Sequence, residues 1–189
     1  MISVHIEQKE YWNEQTGEFL YIGPKEPMDL KLEHSLYSIS KWEAKYHKFY
    51  VNNDNKTIDE TLDYFAMMVV GEEEIDKDYF LTLSEQDIMR IKAYIEDPMT
   101  ATTISESKSK VQKGKIHGEN ISAELVYYYM TAFNIPFECQ YWHFNKLITL
   151  IKVCSIMNDP DRNKKKKMTS ADKAARKARM DAARAKYKH

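Results

Sequence analysis

Apolar residues recur at every second position as far as Leu32 and at every third or fourth position from Leu36 onward, and that change of period divides the fold. A period of two belongs to strands and one of 3.6 to helices. Ile2, Val4 and Ile6 alternate with polar residues, Asn13 to Gly17 supplies a turn, and Phe19 and Tyr21 resume the alternation, which predicts a hairpin. Beyond Pro24 and Pro27, Met28, Leu30 and Leu32 alternate again and predict a third short strand in the same small sheet. Residues 1–33 form the β-rich part.

The helical part begins at Ser35, placed to cap a helix that carries Leu36, Ile39, Trp42 and Tyr46 on one face. Thr57-Ile58-Asp59-Glu60 has capping-box spacing and leads into Leu62, Phe65, Ala66 and Val69. Ser84 opens a third helix with Ile88, Ile91 and Ile95 inward, limited by Pro98. Residues 99–120 have little apolar content and read as an exposed loop or hairpin, a surface loop in preference to a lid. Helix resumes near Ser122 with Leu125, Val126, Tyr129 and Met130. The most apolar stretch, from about Pro136 to Met157, spreads apolar residues around more than one face and predicts the central helix of a bundle.

Charge sets the domain organisation. Arg162 to His189 holds twelve Lys or Arg against two Asp, leaving 16 and 27 charges of the two signs in residues 1–161. A body at about −11 therefore carries an arm at about +10, an asymmetry hidden by the formal net charge of −1. Lys164 to Lys167 repel one another, and Thr169 or Ser170 can cap an Ala-rich helix after them, marginal by itself in water. The expected fold is α-rich α+β: a helical bundle with a small N-terminal antiparallel β element in one globular domain, 1–161 (1–33 β-rich, 34–161 helical), and a basic C-terminal helical arm, 162–189. A body of this length needs no metal or disulfide staple.

Reactive signatures are few. The chain has no phosphate-binding glycine loop, HExxH, nucleophile elbow or CxxC, so neither catalysis nor a cofactor is expected. Cys139 and His143 would share a helical face at i, i+4, with Cys154 further along. Zinc needs more ligands than that, and the reading preferred is a buried thiol and a hydrogen-bonded histidine. Glu72-Glu73-Glu74 with Asp76 and Asp78 reads as a solvated loop. Tyr127, Tyr128, Tyr129, Tyr141 and Trp142 read as packing residues with wet hydroxyls rather than a base-stacking platform. Two cysteines without a leading signal segment fit reduced thiols in the cytoplasm, and no apolar stretch approaches the ~18 residues of a membrane span. The arm is the candidate binding element, through Lys164, Lys165, Lys166, Lys167, Arg176, Lys177, Arg179 and Arg184. It could grip an acidic helical partner or, in a salt-sensitive and sequence-blind way, nucleic acid.

Leu32-Glu33-His34-Ser35-Leu36, Ser40-Lys41-Trp42-Glu43, Tyr94-Ile95 with Met99-Thr100-Ala101-Thr102, and Asn134 to Cys154 (NIPFECQYWHFNKLITLIKVC) resemble a family of small proteins from the tail module of tailed bacteriophages. The order and spacing of these segments match over nearly the whole chain, although the family's proline after Lys48 is absent. Its members are commonly described as tail assembly chaperones. The resemblance implies a protein of the host cytoplasm that binds the tape measure protein, or other tail proteins, until tube subunits polymerise around it, and a homo-oligomer is compatible with that role. The alternatives are a structural component of the virion, such as a head-to-tail connector or tail-completion subunit, and a nucleic-acid binder acting through the arm.

Overall fold

The computed structural model describes residues 1–51, 53–71, 74–102, 121–158, 174 and 176–180. Its N-terminal alternation resolves into four strands, β1 (Ile2–Ile6), β2 (Lys9–Asn13), β3 (Glu18–Ile22) and β4 (Met28–Leu32). The turn expected at Asn13–Gly17 closes a hairpin through a hydrogen bond from Gly17 N–H to the Asn13 carbonyl, but its first arm is a separate strand, β2, with Trp12 opposite Phe19, and not the Ile2–Ile6 strand expected there. The third strand, β4, does not join that sheet. It pairs antiparallel with β1, Val4 opposite Leu30, so the β element is two nested two-stranded sheets instead of one three-stranded sheet. Alternation in sequence reports that a segment is a strand and leaves its partner open.

Between the two sheets Glu7 and Gln8 pass opposite the segment from Gly23 to Pro27, and the chains approach most closely at Gly23. A β-carbon there would lie 2.8 Å from the Glu7 carbonyl oxygen and 2.9 Å from the Gln8 Cα, and the backbone has φ +112°. Only glycine meets both demands. Gly23→Ala is expected to cost about 2 kcal/mol or more, because the obstructing atoms are backbone. Urea unfolding should show this as a lowered midpoint at unchanged slope.

The helix starts expected at Ser35, Thr57, Ser84 and Ser122 each carry a capping bond. α1 (Leu36–Tyr46) and α2 (Ile58–Met67) begin with reciprocal boxes, Ser35 with Ser38 and Thr57 with Glu60. α3 (Glu85–Glu96) and α4 (Ala123–Ala132) begin at Ser84 and Ser122, whose hydroxyls accept from Asp87 N–H and Leu125 N–H. Two short 3-10 helices, Lys77–Thr82 and Phe137–Tyr141, precede α3 and α5 (Phe144–Met157) respectively.

The last helix departs from expectation. Its predicted first turn is the separate 3-10 helix, Trp142 is extended, and the backbone of His143 bridges to Ser35, with Phe144 N–H donating to the His34 carbonyl at 2.7 Å. That long-range pairing removes the residues around 142 from any continuous helix. Nor is α5 the centre: it buries Phe144, Leu147 and Ile151, whereas Ile148 and Leu150 stay half-buried. The centre is α1, which packs on α2, α4 and the Phe137–Tyr141 segment and fully buries Leu36, Ile39 and Trp42. Its Glu43 carboxylate accepts from Tyr50 N–H (2.8 Å) and Ala123 N–H (2.7 Å), fastening the start of α4 to α1. Val4, Ile6, Leu30 and Leu32 from β1 and β4 are also buried, β1 against α3 and the Lys77–Thr82 segment, with Phe65, Met68, Phe80, Ile91, Val126, Met130 and Leu147 completing the core. This is the α-rich α+β fold expected, with a helical majority and a small N-terminal antiparallel element.

Two compact units divide the chain, Met1–Ile151 and Lys152–His189. Among the described residues no helix is long and apolar enough to cross a membrane.

Candidate interaction site

The cationic residues expected to bind a partner are described in part. Arg176, Lys177 and Arg179 lie on a helical stretch and are exposed. Lys164, Lys165, Lys166, Lys167 and Arg184 lie outside the described residues, as do Thr169 and Ser170 and most of the 99–120 segment. The acidic loop is described only from Glu74 onward.

Inside the first unit the ionisable groups serve the fold. Tyr64, fully buried, keeps its hydroxyl proton because burial raises its pKa, and its hydroxyl is hydrogen-bonded to His34 Nδ1 at 2.5 Å. His34 is 3 % exposed. Burial first, then the neighbouring His143 and Lys56, hold its pKa down to about 3, so it stays neutral and can accept that bond. His143 directs Nε2 at the Tyr94 carbonyl (2.9 Å), which makes Nε2 the protonated nitrogen and leaves Nδ1 as an unpartnered buried acceptor. Its pKa is likewise lowered by burial. The rings of Tyr50, Tyr64, His34, His143 and Tyr94 form one chain of edge and tilted contacts, the two histidines 5.2 Å apart. Cys139 sits in the 3-10 segment, off the helix that follows His143, and burial raises its thiol pKa. Among the described residues no group of three or more His, Cys, Asp or Glu side chains could hold a metal.

Beside this cluster a cleft of about 280 Å³ is lined by Tyr50, Tyr64, Phe65, Lys56, Lys92 and Glu96. Lys56 is already engaged there, over the Tyr50 ring at 4.3 Å and donating to the Asn53 carbonyl at 2.6 Å.

Exposed aromatics are concentrated in two places. On one surface Tyr37 packs against Tyr141 (5.3 Å), with Lys41 over the Tyr37 ring, and Lys146 lies over Trp142. Tyr127 donates its hydroxyl to Gln140, leaving Tyr128 the exposed member of the tyrosine run. The larger concentration is the β2–β3 ribbon, which contains no buried residue. Trp12 and Phe19 are each 55 % exposed and Tyr21 60 %, and they share a face, with Tyr11 and Leu20 exposed on the other. Trp12 and Phe19 meet edge to face at 4.8 Å, and Tyr21 donates its hydroxyl to Glu10. Sequence reasoning assigned this hairpin and passed over its surface. The available signal was four aromatics and a leucine in two short strands with no core-facing set to separate from an outer one.

No family model, curated protein or solved structure matches this chain. The described arrangement presents exposed aromatic and cationic side chains, together with a buried polar cluster hydrogen-bonded within the fold.

Proposed function

We propose that this chain is a non-enzymatic protein of phage tail morphogenesis, a tail assembly chaperone that binds the tape measure protein in the host cytoplasm. Two things support the reading. The first is the resemblance of Leu32–Leu36, Ser40–Glu43, Tyr94–Ile95 and the Asn134–Cys154 segment to that family. These residues include the seam that joins β4, α1 and the start of α5, so what is shared is the frame of the body. The second, which carries the proposal, is the exposure of Arg176, Lys177 and Arg179 on a helix in a chain whose cations are otherwise outnumbered. A cationic helix whose described apolar side chains are Ala174, Ala178 and Met180 suits a long helical client with acidic stripes, held reversibly through charge.

Co-expression with the tape measure protein of the same phage tests this. The full chain is expected to raise the soluble fraction of that protein several-fold, and a version ending at Asp161 is expected to lose most of the effect. Purified virions analysed by mass spectrometry should lack the chain. Stoichiometric presence in virions would favour a structural component, and tight binding of DNA in place of the client, weakening steeply with salt, would favour a nucleic-acid binder.

A further inference from the structure

The β2–β3 ribbon is built as a binding element, and we infer that it docks a cationic amphipathic segment of another protein, an apolar stripe bordered by Lys or Arg. Five large side chains of this ribbon, Tyr11, Trp12, Phe19, Leu20 and Tyr21, are 41 to 60 % exposed. Trp12, Phe19 and Tyr21 on one face offer roughly 400 Å² of largely apolar surface, within the size range of exposed patches that are often functional on monomers, and Tyr11 and Leu20 add a smaller surface on the other face. Five such residues on ten positions of two strands do nothing for the core, since neither strand buries a residue.

Charge identifies the occupant. The ribbon from Lys9 to Ile22 carries Glu10, Glu14 and Glu18 against a single cation, Lys9, which lies at its far end on the face away from Trp12, Phe19 and Tyr21. Glu10 lies opposite Tyr21, and Glu18 borders Phe19 at the turn end. An apolar surface rimmed by carboxylates selects Lys or Arg around the partner's apolar residues. The same rim disfavours the other occupants. A second ribbon would bring three more carboxylates against these, and nucleic acid would bring phosphates. Aromatic anchors with a charged rim are also the composition of interface hot spots.

The inference does not depend on the tape measure reading, and its test uses no phage protein. The probes are two synthetic 18-residue amphipathic peptides of one pattern, Leu with Lys and Leu with Glu, each fluorescently labelled, titrated with the full chain and followed by anisotropy. A Trp142→Phe background leaves Trp12 as the exposed tryptophan, because Trp42 is fully buried, so Trp12 emission reports the site directly. The Leu/Lys peptide is expected to bind and shift Trp12 emission to the blue, and the Leu/Glu peptide to leave it unchanged. The pair Trp12→Ser, Phe19→Ser is expected to weaken Leu/Lys binding at least tenfold. The triple change Glu10→Gln, Glu14→Gln, Glu18→Gln, which keeps the aromatics, should weaken it severalfold and flatten its salt dependence. Equal binding of both peptides, or undiminished Leu/Lys binding after the serine pair, would overturn the inference. So would concentration-dependent self-association abolished by that pair, which would make a second copy the occupant.

Discussion

Trp42→Ala is expected to remove about 4 to 6 kcal/mol of stability, a large part of what a domain of this size possesses. The indole is fully buried in α1, its ring packs on Tyr46 (4.9 Å) and edge-on to Tyr50 (5.3 Å), and its Nε1–H donates to the Glu60 carbonyl at 2.9 Å. Truncation therefore opens a large cavity and removes the second hydrogen bond to a carbonyl in the first turn of α2. Trp42→Phe separates the two contributions. It keeps most of the volume and loses the hydrogen bond, for about 1 to 2 kcal/mol. Denaturant unfolding of the two variants checks the ordering. Equal small losses would mean that α1 is not the centre of the body.

Acid should destabilise the body well above the pH at which carboxylates protonate. Folded His34 stays neutral down to about 3, against an ordinary value of 6.5, so below pH 6.5 the unfolded chain takes up a proton that the folded chain refuses. The stabilisation is complete above the ordinary value and is lost progressively as pH falls towards 3. By pH 4.5 the loss from this residue is about 2 to 3 kcal/mol. His143 adds to it in the same direction: protonated, its Nδ1–H would face no acceptor. Glu43 works in the opposite sense, since burial raises its pKa and the folded chain takes up that proton first. Asp63, held low by Lys45 and Tyr46 despite its burial, loses its contribution only below its ordinary 3.8. Comparing wild type with His34→Gln, which can still accept from Tyr64, isolates the histidine. The wild type should lose up to one proton's worth of stability per pH unit more steeply than the variant between pH 6 and 4.5. Parallel curves would show that His34 titrates normally.

Helix starts were legible because a cap is local chemistry. Ser35, Thr57, Ser84 and Ser122 each hold the bond that their spacing implied. Three of the four strands were legible, but β2 and the nesting were not, because β1 and β4 are brought together by a ribbon that closes elsewhere. The break near residue 142 was hidden for a similar reason. The backbone of His143 is taken by Ser35, more than a hundred positions away, and no helical propensity reports such a partner. Centrality was misjudged from hydrophobicity alone. α5 is richer in aliphatic residues, yet α1 is enclosed because it lies among more elements. For the candidate site, charge segregation pointed to cations of the arm, three of which are seen exposed on a helix. The aromatic ribbon escaped because alternation is normally taken as one wet face and one dry one, and here both are wet.

Gly23 and the nested pairing place a joint between a strand pair that supplies Val4, Ile6, Leu30 and Leu32 to the interior and one that supplies nothing. The consequence is evolutionary. Outside the Asn13–Gly17 turn, whose Gly17 has φ +69°, substitutions in residues 10–21 meet no interior packing, so the ribbon's surface is free to vary while Val4, Ile6, Leu30 and Leu32 are held by the core.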